Sequence, residues 1–117
     1  MSECVFCKIA NRLSGSDGEY HFENDQISAF NDINPQAPIH ILIVPKRHIP
    51  SIVDIVDSDI ELLGKMVRVA SELAKSHHLN TNGYRLVFNI KKHGGQVVDH
   101  IHLHLLGGQQ LGKMNNN

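Results

Sequence analysis

Apolar and polar residues alternate between His100 and Leu106, and this period of two predicts a β-strand near the C-terminal end of the chain. Successive side chains of a strand point to opposite faces, so the three histidines of this segment share one face. Ile101, Leu103 and Leu105 line the other face and are expected to pack on a core. Because each of the three imidazoles needs a polar partner, the row of histidines favours a functional site over an accident of packing.

Helical spacing of apolar residues is clearest between Ser58 and His78. The helix predicted there has an apolar face made of Ile60, Leu63, Val67, Ala70 and Ala74. Ser58 and Glu61 have the spacing of a capping box, in which each side chain bonds the other residue's backbone amide at a helix N-terminus. A second, shorter helix is expected around Cys4–Asn11.

Four further strands are predicted. Glu19–Glu23 and Ile27–Phe30 flank the turn-forming pair Asn24-Asp25 and together predict a hairpin. Ile39–Val44 follows a loop broken by two prolines and has the continuous apolar character of a buried strand. Tyr84–Ile90 alternates and predicts a strand between the long helix and the histidine row.

Length and composition limit the classes of function. A chain of 117 residues suits one domain over 1–117, and its polar end, 112–117, is expected to be frayed. The formal net charge of -1 provides no basic patch for a polynucleotide, and the absence of Trp leaves no evident platform for stacking bases. The sequence has no apolar stretch of membrane-spanning length and nothing that resembles a signal peptide, so a reducing, cytoplasmic setting is the default expectation.

A Gly-Gly pair precedes the histidine row, within Lys91–Gln96. Paired glycines allow a turn whose backbone amides converge on an anion, although an ordinary hairpin turn would use the same residues. The position of the pair, directly upstream of the histidines, favours the anion-binding interpretation.

Two cysteines, Cys4 and Cys7, lie three residues apart near the N-terminus. Two thiolates at this spacing can supply half of a tetrahedral zinc site, which then needs two further ligands from elsewhere in the chain. The alternatives are two buried free thiols or an exposed redox pair.

The segment His100 to Leu106 resembles the signature of the histidine triad superfamily, His-φ-His-φ-His-φ-φ with φ apolar, without a gap. Asp32–Pro38, His40 and Pro45–His48 resemble the upstream block of that family, and Gly94-Gly95-Gln96 matches it as well. The short length and the ending Leu106-Gly107-Gly108 are similar to the Hint-like branch, whose members hydrolyse purine nucleoside 5′-phosphoramidates.

This resemblance implies a set of roles. His102 would attack the α-phosphorus and form a covalent nucleotidyl-histidine that water later hydrolyses, with no catalytic metal required. His104, Asn89 and the backbone after Gly95 would donate to the phosphate oxygens. His40 and His100 would support the nucleophile, and Asp32 would accept from the ribose hydroxyls of a purine nucleotide.

The same resemblance implies an apolar slot for the purine base. The residues at its positions here are Phe6, Ile9, Phe30, Ile33 and Leu42, each of which would equally suit a plain core. His48 and His100 would complete a structural zinc site with the two cysteines. An α+β fold is expected, with a mainly antiparallel sheet, one long and one short helix, and a sheet continued across a homodimer, because the exposed last strand would otherwise be an unpaired edge.

Two positions depart from the family pattern. Relatives of the Hint-like branch commonly carry a hydroxyl or acidic residue where this chain has Val97 after Gln96, and an aromatic residue where it has Asp99. Since valine donates no proton, help to the leaving amine must come from His102, another histidine or water.

Three other functions fit the same residues. A dinucleoside polyphosphate hydrolase of the same superfamily would use the same site. In a zinc hydrolase, the three histidines would instead be ligands of a catalytic metal that activates water. In a nucleotide-binding regulatory protein, the same pocket would bind a nucleotide and hydrolysis would be incidental.

Overall fold

The computed structural model describes residues 4–13 and 19–114. Its two α-helices and five strands are α1 (Val5–Ala10), β1 (Tyr20–Glu23), β2 (Ile27–Asn31), β3 (Ile39–Pro45), α2 (Ile60–Ser76), β4 (Arg85–Phe88) and β5 (Leu103–Gly107). Short 3-10 helices at Ile52–Asp54, Asp57–Asp59 and Lys92–Gly94 connect some of them. The predicted α+β class is confirmed. The end of the segment expected to fray, 115–117, lies outside the described residues.

The five strands form one antiparallel sheet in the order β1-β2-β3-β5-β4. In this register His104 on β5 lies between Leu42 on β3 and Val87 on β4. The expectation that the last strand would be an exposed edge is wrong, because β5 lies between β3 and β4 and pairs with both. Among the described residues, the edges of the sheet belong to β1 and β4. None of the helices in 4–13 and 19–114 is long and apolar enough to cross a membrane.

The sheet separates two apolar clusters. The larger one lies between the sheet and α2 and contains Ile41, Ile43, Leu103 and Leu105, which alternate with the residues facing the other way. A smaller cluster on the opposite face joins α1 to Phe30, Leu42 and Val44, among others. Alternation along β3 and β5 thus places His40 and His104 on the face that α1 covers, away from α2.

The long helix is confirmed, and three residues of its predicted apolar face, Leu63, Ala70 and Ala74, do pack on the core. The other two residues of that face and the predicted cap are wrong. The buried residues of α2 are Leu62, Met66, Val69, Ala70, Leu73 and Ala74, whereas Ile60 and Val67 are exposed. No capping box forms between Ser58 and Glu61, because the buried side chain of Asp59 occupies this turn. Its Oδ2 accepts from the Val56 amide at 2.9 Å and its Oδ1 from Arg47.

The histidine strand is shorter than predicted. It begins at Leu103, so His100 and His102 precede it in an extended segment held by other contacts. The Ile101 amide donates to the carbonyl of Ile49, 2.8 Å away, while β4 ends at Phe88 and offers no partner further along. The predicted alternation survives, since Ile101 is buried in the larger cluster together with Leu103 and Leu105.

Candidate active site

A cavity of about 610 Å³ lies on the α1 side of the sheet. Residues of α1, β2, β3, β5 and the loop after β4 line it. Twelve of the predicted site residues are among them: Phe6, Ile9, Phe30, Asp32, Ile33, His40, Leu42, Asn89, Gly95, Val97, His102 and His104. The structure therefore gathers most of the predicted site around one concave surface.

The hydrogen bond of His102 fixes its tautomer. Nδ1 of His102 lies 2.7 Å from the backbone carbonyl of His100, which can only accept, so Nδ1 carries the proton and donates. The other ring nitrogen, Nε2, then holds the lone pair. Burial lowers the pKa of His102 below its usual value, which keeps the ring neutral near pH 7. A neutral imidazole with a free lone pair is a competent nucleophile.

His104 is oriented by a chain of hydrogen bonds that starts at the loop before β3. The backbone amide of Gln36 donates to Nδ1 of His40, 3.0 Å away, so the proton of His40 resides on Nε2. Nε2 of His40 donates to Nδ1 of His104 at 2.9 Å, which leaves His104 protonated at Nε2. His104 can therefore donate a hydrogen bond from Nε2 into the cavity.

The three cavity histidines are neutral for the same reason. Burial lowers the pKa values of His40 and His102, although the Asp32 carboxylate opposes the shift. Burial, followed by the charges that His102 and His40 would carry, lowers the pKa of His104 to about 4. The site therefore keeps one uncharged acceptor, on His102, beside one uncharged donor, on His104.

Asp32 begins the loop that follows β2 and lines the cavity close to His40. Its Oδ1 accepts from the Asn34 amide at 2.8 Å, and its Oδ2 lies 3.4 Å from Nε2 of His40. Each carboxylate oxygen has more than one lone pair, so the group can still accept from a bound hydroxyl.

The backbone amides of the turn at Gly94-Gly95 are hydrogen-bonded within the turn itself. Gly94, Gly95 and Gln96 donate their amides to the carbonyls of Lys91 or Lys92. Within the described residues, the amides of Val97 and Val98 have no such partner, and both residues line the cavity. Nearby, Nδ2 of Asn89 donates to the carbonyl of Gly94 at 2.8 Å. Among the described residues that directly follow the turn, Val97 and Val98 are therefore the lining residues whose amides are not used by a backbone carbonyl.

The apolar part of the cavity surrounds Phe6. Its ring meets those of Phe30 and His102 edge-on, with centroids 6.0 and 4.9 Å apart, so the predicted base slot adjoins His102. Ile33 and Val97 lie at the mouth of the cavity, 91% and 89% exposed, where a bound ligand would cover them.

Two predicted site residues do not line the cavity. His100 faces the cysteines, and it contacts the site through its carbonyl, which accepts from His102, and through its ring, which meets that of Phe6 edge-on with centroids 6.3 Å apart. The side chain of Gln96 bonds to backbone atoms of the surrounding loops. Sequence reasoning did not single out other lining residues, Val5, Asn31, Asn34, Gln36 and Val98. Gln36 and Val98 act through backbone amides, which no side-chain pattern identifies.

Cys4, Cys7, His48 and His100 form a second cluster, with one ligand atom from each lying within 4.8 Å of the others. Sγ of Cys7 is 3.1 Å from Nδ1 of His48, and both sulfurs are 3.3 Å from Nδ1 of His100. In a tetrahedral zinc site the ligand atoms lie roughly 3.3–3.8 Å apart, given bonds of about 2.0–2.3 Å. The cluster is only slightly tighter than this and fits a metal.

The protonation of His100 also fits a metal ligand. Nε2 of His100 donates to the carbonyl of Pro45 at 2.8 Å, so the lone pair is on Nδ1 and points at the sulfurs. Burial lowers the pKa of His100 to about 4, and the ring is neutral near pH 7. Burial and the neighbouring Cys4 raise the pKa of the Cys7 thiol to about 11, so binding of a metal would displace a proton from it.

Comparisons with known proteins agree with the geometry. The family model for the scavenger mRNA decapping enzyme C-terminal binding region matches residues 3–117. A purine nucleoside phosphoramidase of Escherichia coli is 46% identical over 112 residues, covering 96% of this chain and 92% of the relative. The crystal structure of a HIT family hydrolase from Legionella pneumophila is 51% identical, with a TM-score of 0.87, covering 93% of this chain and 96% of that one.

A third relative bears on the metal cluster. A zinc-bound histidine triad family protein from Mycobacterium smegmatis has a TM-score of 0.76 at 25% identity, over 97% of this chain and 81% of that one. Taken together, the fold, the histidine site and these matches define a class of protein. The chain belongs to the histidine triad superfamily, and it is an enzyme of that family's nucleotide hydrolase class.

Proposed function

We propose that this protein hydrolyses purine nucleoside 5′-phosphoramidates to the nucleoside monophosphate and an amine. The observation that carries the proposal is the tautomer of His102, whose Nδ1 donates to the His100 carbonyl and whose Nε2 keeps a lone pair. The relative from Escherichia coli named for this activity supports the choice of substrate.

The proposed reaction has two displacements. Nε2 of His102 bonds to the α-phosphorus as the phosphorus–nitrogen bond breaks, and the amine leaves with a proton from solvent or from Nε2 of His104. Water then attacks the phosphorus and gives up one proton, to Nε2 of His104 if that atom protonated the amine and otherwise to solvent. The bond to His102 breaks, which releases the nucleoside monophosphate and returns the lone pair to Nε2 of His102. The amides of Val97 and Val98 donate to the phosphate oxygens as they gain charge in each displacement, and Nε2 of His104 does the same while it carries its proton.

The nucleoside would occupy the rest of the cavity. The Asp32 carboxylate accepts from the two ribose hydroxyls, because its oxygens can take two donated hydrogen bonds together. The purine lies among Phe6, Ile9, Phe30 and Leu42, with Ile33 covering it from the mouth of the cavity. Aromatic and aliphatic contacts of this kind favour a flat base without selecting between adenine and guanine.

We also propose that the cysteine and histidine cluster binds a structural zinc ion. Zinc would hold α1 against the loop after β3, since its ligands would come from Cys4 and Cys7 on one side and His48 and His100 on the other. Both cysteines are free thiols, the state in which a reducing cytoplasm would keep them.

We further propose that two copies form a homodimer. The edge strand β4 exposes backbone groups that a second β4 could pair with, continuing the sheet. A second surface that a partner copy could cover is made of exposed apolar side chains on α2 and the turns before it: Val53, Val56, Ile60 and Val67. Such a row on a helix with a separate buried face is typical of a partner surface.

A comparison of substrates tests the proposed activity. We expect adenosine 5′-phosphoramidate to be hydrolysed with a higher kcat/KM than a diadenosine polyphosphate, and guanosine 5′-phosphoramidate to be a substrate too. Faster hydrolysis of the dinucleotide would assign the protein to the other branch of the family. Folded protein that binds AMP but turns over neither compound would contradict the proposal in favour of a binding protein.

A further inference from the structure

The loop from Lys91 to Val98 reaches its shape through an unusual backbone conformation. Lys91 has φ +60° and ψ -175°, a region that residues with a side chain rarely adopt. Its carbonyl accepts from the amides of Gly94 and Gln96 at 3.1 and 3.0 Å. The strained residue is therefore the point from which the whole turn folds back toward the cavity.

One side chain joins this strained residue to the rest of the site. Oε1 of Gln96 accepts from the Lys91 amide at 2.9 Å. Nε2 of Gln96 donates to the carbonyl of Pro50 at 2.6 Å and to that of Val98 at 2.9 Å. Each of these three bonds goes to a backbone group. Gln96 therefore connects the start of the turn, the loop after β3 and the segment that leads to His100.

These contacts adjoin the two free amides described above. Gln96 directly precedes Val97, and its side chain bonds the carbonyl of Val98, so it is joined to the chain on both sides of the two amides, in a segment that lines the cavity. A restraint on donors to a phosphate matters more in the transition state than in substrate binding, because the oxygens gain charge there.

We propose that Gln96 is a positioning residue, which holds Lys91 in its strained conformation and thereby presents the amides of Val97 and Val98 to the reacting phosphate. The proposal rests on the proposed function for the identity of the phosphate. In this role the Gln96 side chain does not contact the substrate. It keeps Lys91 from relaxing out of the strained conformation, through the bond to the Lys91 amide.

The test uses four full-length proteins: wild type, Gln96→Ala, Lys91→Gly and the double variant. With adenosine 5′-phosphoramidate we expect Gln96→Ala to lower kcat by about 10- to 100-fold, with less than about a threefold change in KM. Lys91→Gly alone leaves kcat unchanged, since glycine adopts this φ and ψ without strain and Lys91 does not line the cavity. In the double variant kcat should be at least about threefold higher than in Gln96→Ala. With glycine at position 91 there is no strain to release, so the turn can keep its shape without the Gln96 side chain.

Gln109→Ala is the matched control, since Gln109 lines a separate groove, and it should retain wild-type kcat. A purely structural Gln96 would lower Tm without separating kcat from KM, and that result would overturn the proposal. Wild-type kcat in Gln96→Ala, or no recovery in the double variant, would overturn it as well.

Failure of the proposed function is distinguishable, because the wild-type protein itself would then turn over no phosphoramidate. In that case, nuclear magnetic resonance can follow the shifts of the Val97 and Val98 amides when AMP is added. Shift changes that are smaller in Gln96→Ala than in the wild type, and restored in the double variant, would still support the positioning role. Shift changes in Gln96→Ala equal to those of the wild type would refute it.

Discussion

Nε2 of His40 donates to Nδ1 of His104 across 2.9 Å, on adjacent strands and beneath the floor of the cavity. Because the Gln36 amide fixes the proton of His40, the pair has a single arrangement of protons, with the remaining N–H of His104 on Nε2. The arrangement holds only while both rings are neutral, since a second proton on either would place two donors face to face.

This pair predicts how stability depends on pH. The pKa of His104 is lowered to about 4, whereas a histidine in the unfolded chain titrates near 6.5. Between those values the unfolded chain binds a proton that the folded protein refuses, so the free energy of unfolding falls as pH decreases from about 6.5 to about 4. Denaturant titrations at pH 8, 6.5, 5 and 4 measure this loss.

A substitution isolates the contribution of His104. His104→Asn should reduce the loss between pH 6.5 and 4 by ~1–3 kcal/mol, while His93→Asn, at an exposed position, leaves it unchanged. Acid release of any bound metal affects both variants alike. A free energy of unfolding that rises toward pH 4, or an equal loss in both variants, would contradict the assignment.

Val97 at the cavity mouth predicts the effect of restoring a hydroxyl. Val97→Ser supplies a proton donor near the leaving amine, so phosphoramidate kcat should rise, by up to about tenfold, or stay unchanged. Val97→Ala is the control, because it removes the same methyl groups without adding a donor. A large fall in kcat for a normally folded serine variant would refute this view of the leaving-group side.

The zinc proposal predicts a measurable metal content. Protein purified without chelator should contain about one equivalent of zinc per chain, and Cys7→Ser should contain far less and unfold at a lower temperature. His93→Ala, which removes an exposed histidine outside the cluster, should keep its zinc. Elemental analysis of the wild-type protein that finds well under one equivalent would remove the proposal.

The homodimer proposal predicts the solution mass. Wild-type protein should have the mass of a dimer in sedimentation experiments, and the charged substitutions Ile60→Lys and Val67→Lys should shift it toward monomer. Glu72→Lys, on the same helix but outside the apolar row, serves as the control and should remain dimeric. A wild-type mass that stays monomeric at every concentration would refute the dimer.

Much of the fold followed from periodicity in the sequence. The alternation around His104 predicted which side chains face the core, because a period of two is set by the backbone of a strand. The face of α2 was mispredicted at two of its five residues because this helix carries two apolar surfaces. Ile60 and Val67 fit the helical period as well as the buried residues do, and the sequence alone does not say which surface a sheet will cover.

The residues of the candidate site were likewise predicted in part from the sequence. Side-chain chemistry predicted most of the cavity lining, since histidine, asparagine and carboxylate groups carry visible functions. Backbone groups were beyond sequence reasoning: the carbonyl of His100 fixes His102, and the amide of Gln36 fixes His40. The strain at Lys91 was equally invisible, because a lysine ordinarily signals no special φ.

Nε2 of His102 should become bonded to the phosphorus, and rapid mixing with adenosine 5′-phosphoramidate can capture that bond. Protein quenched in denaturant within a single turnover is digested and analysed by mass spectrometry, with His102→Ala in parallel. We predict a nucleotidyl adduct that maps to His102 and is absent from the variant, which should also lose activity by about 10³-fold or more. Turnover of the same substrate without any adduct on His102, or undiminished turnover by the folded His102→Ala protein, would contradict the account.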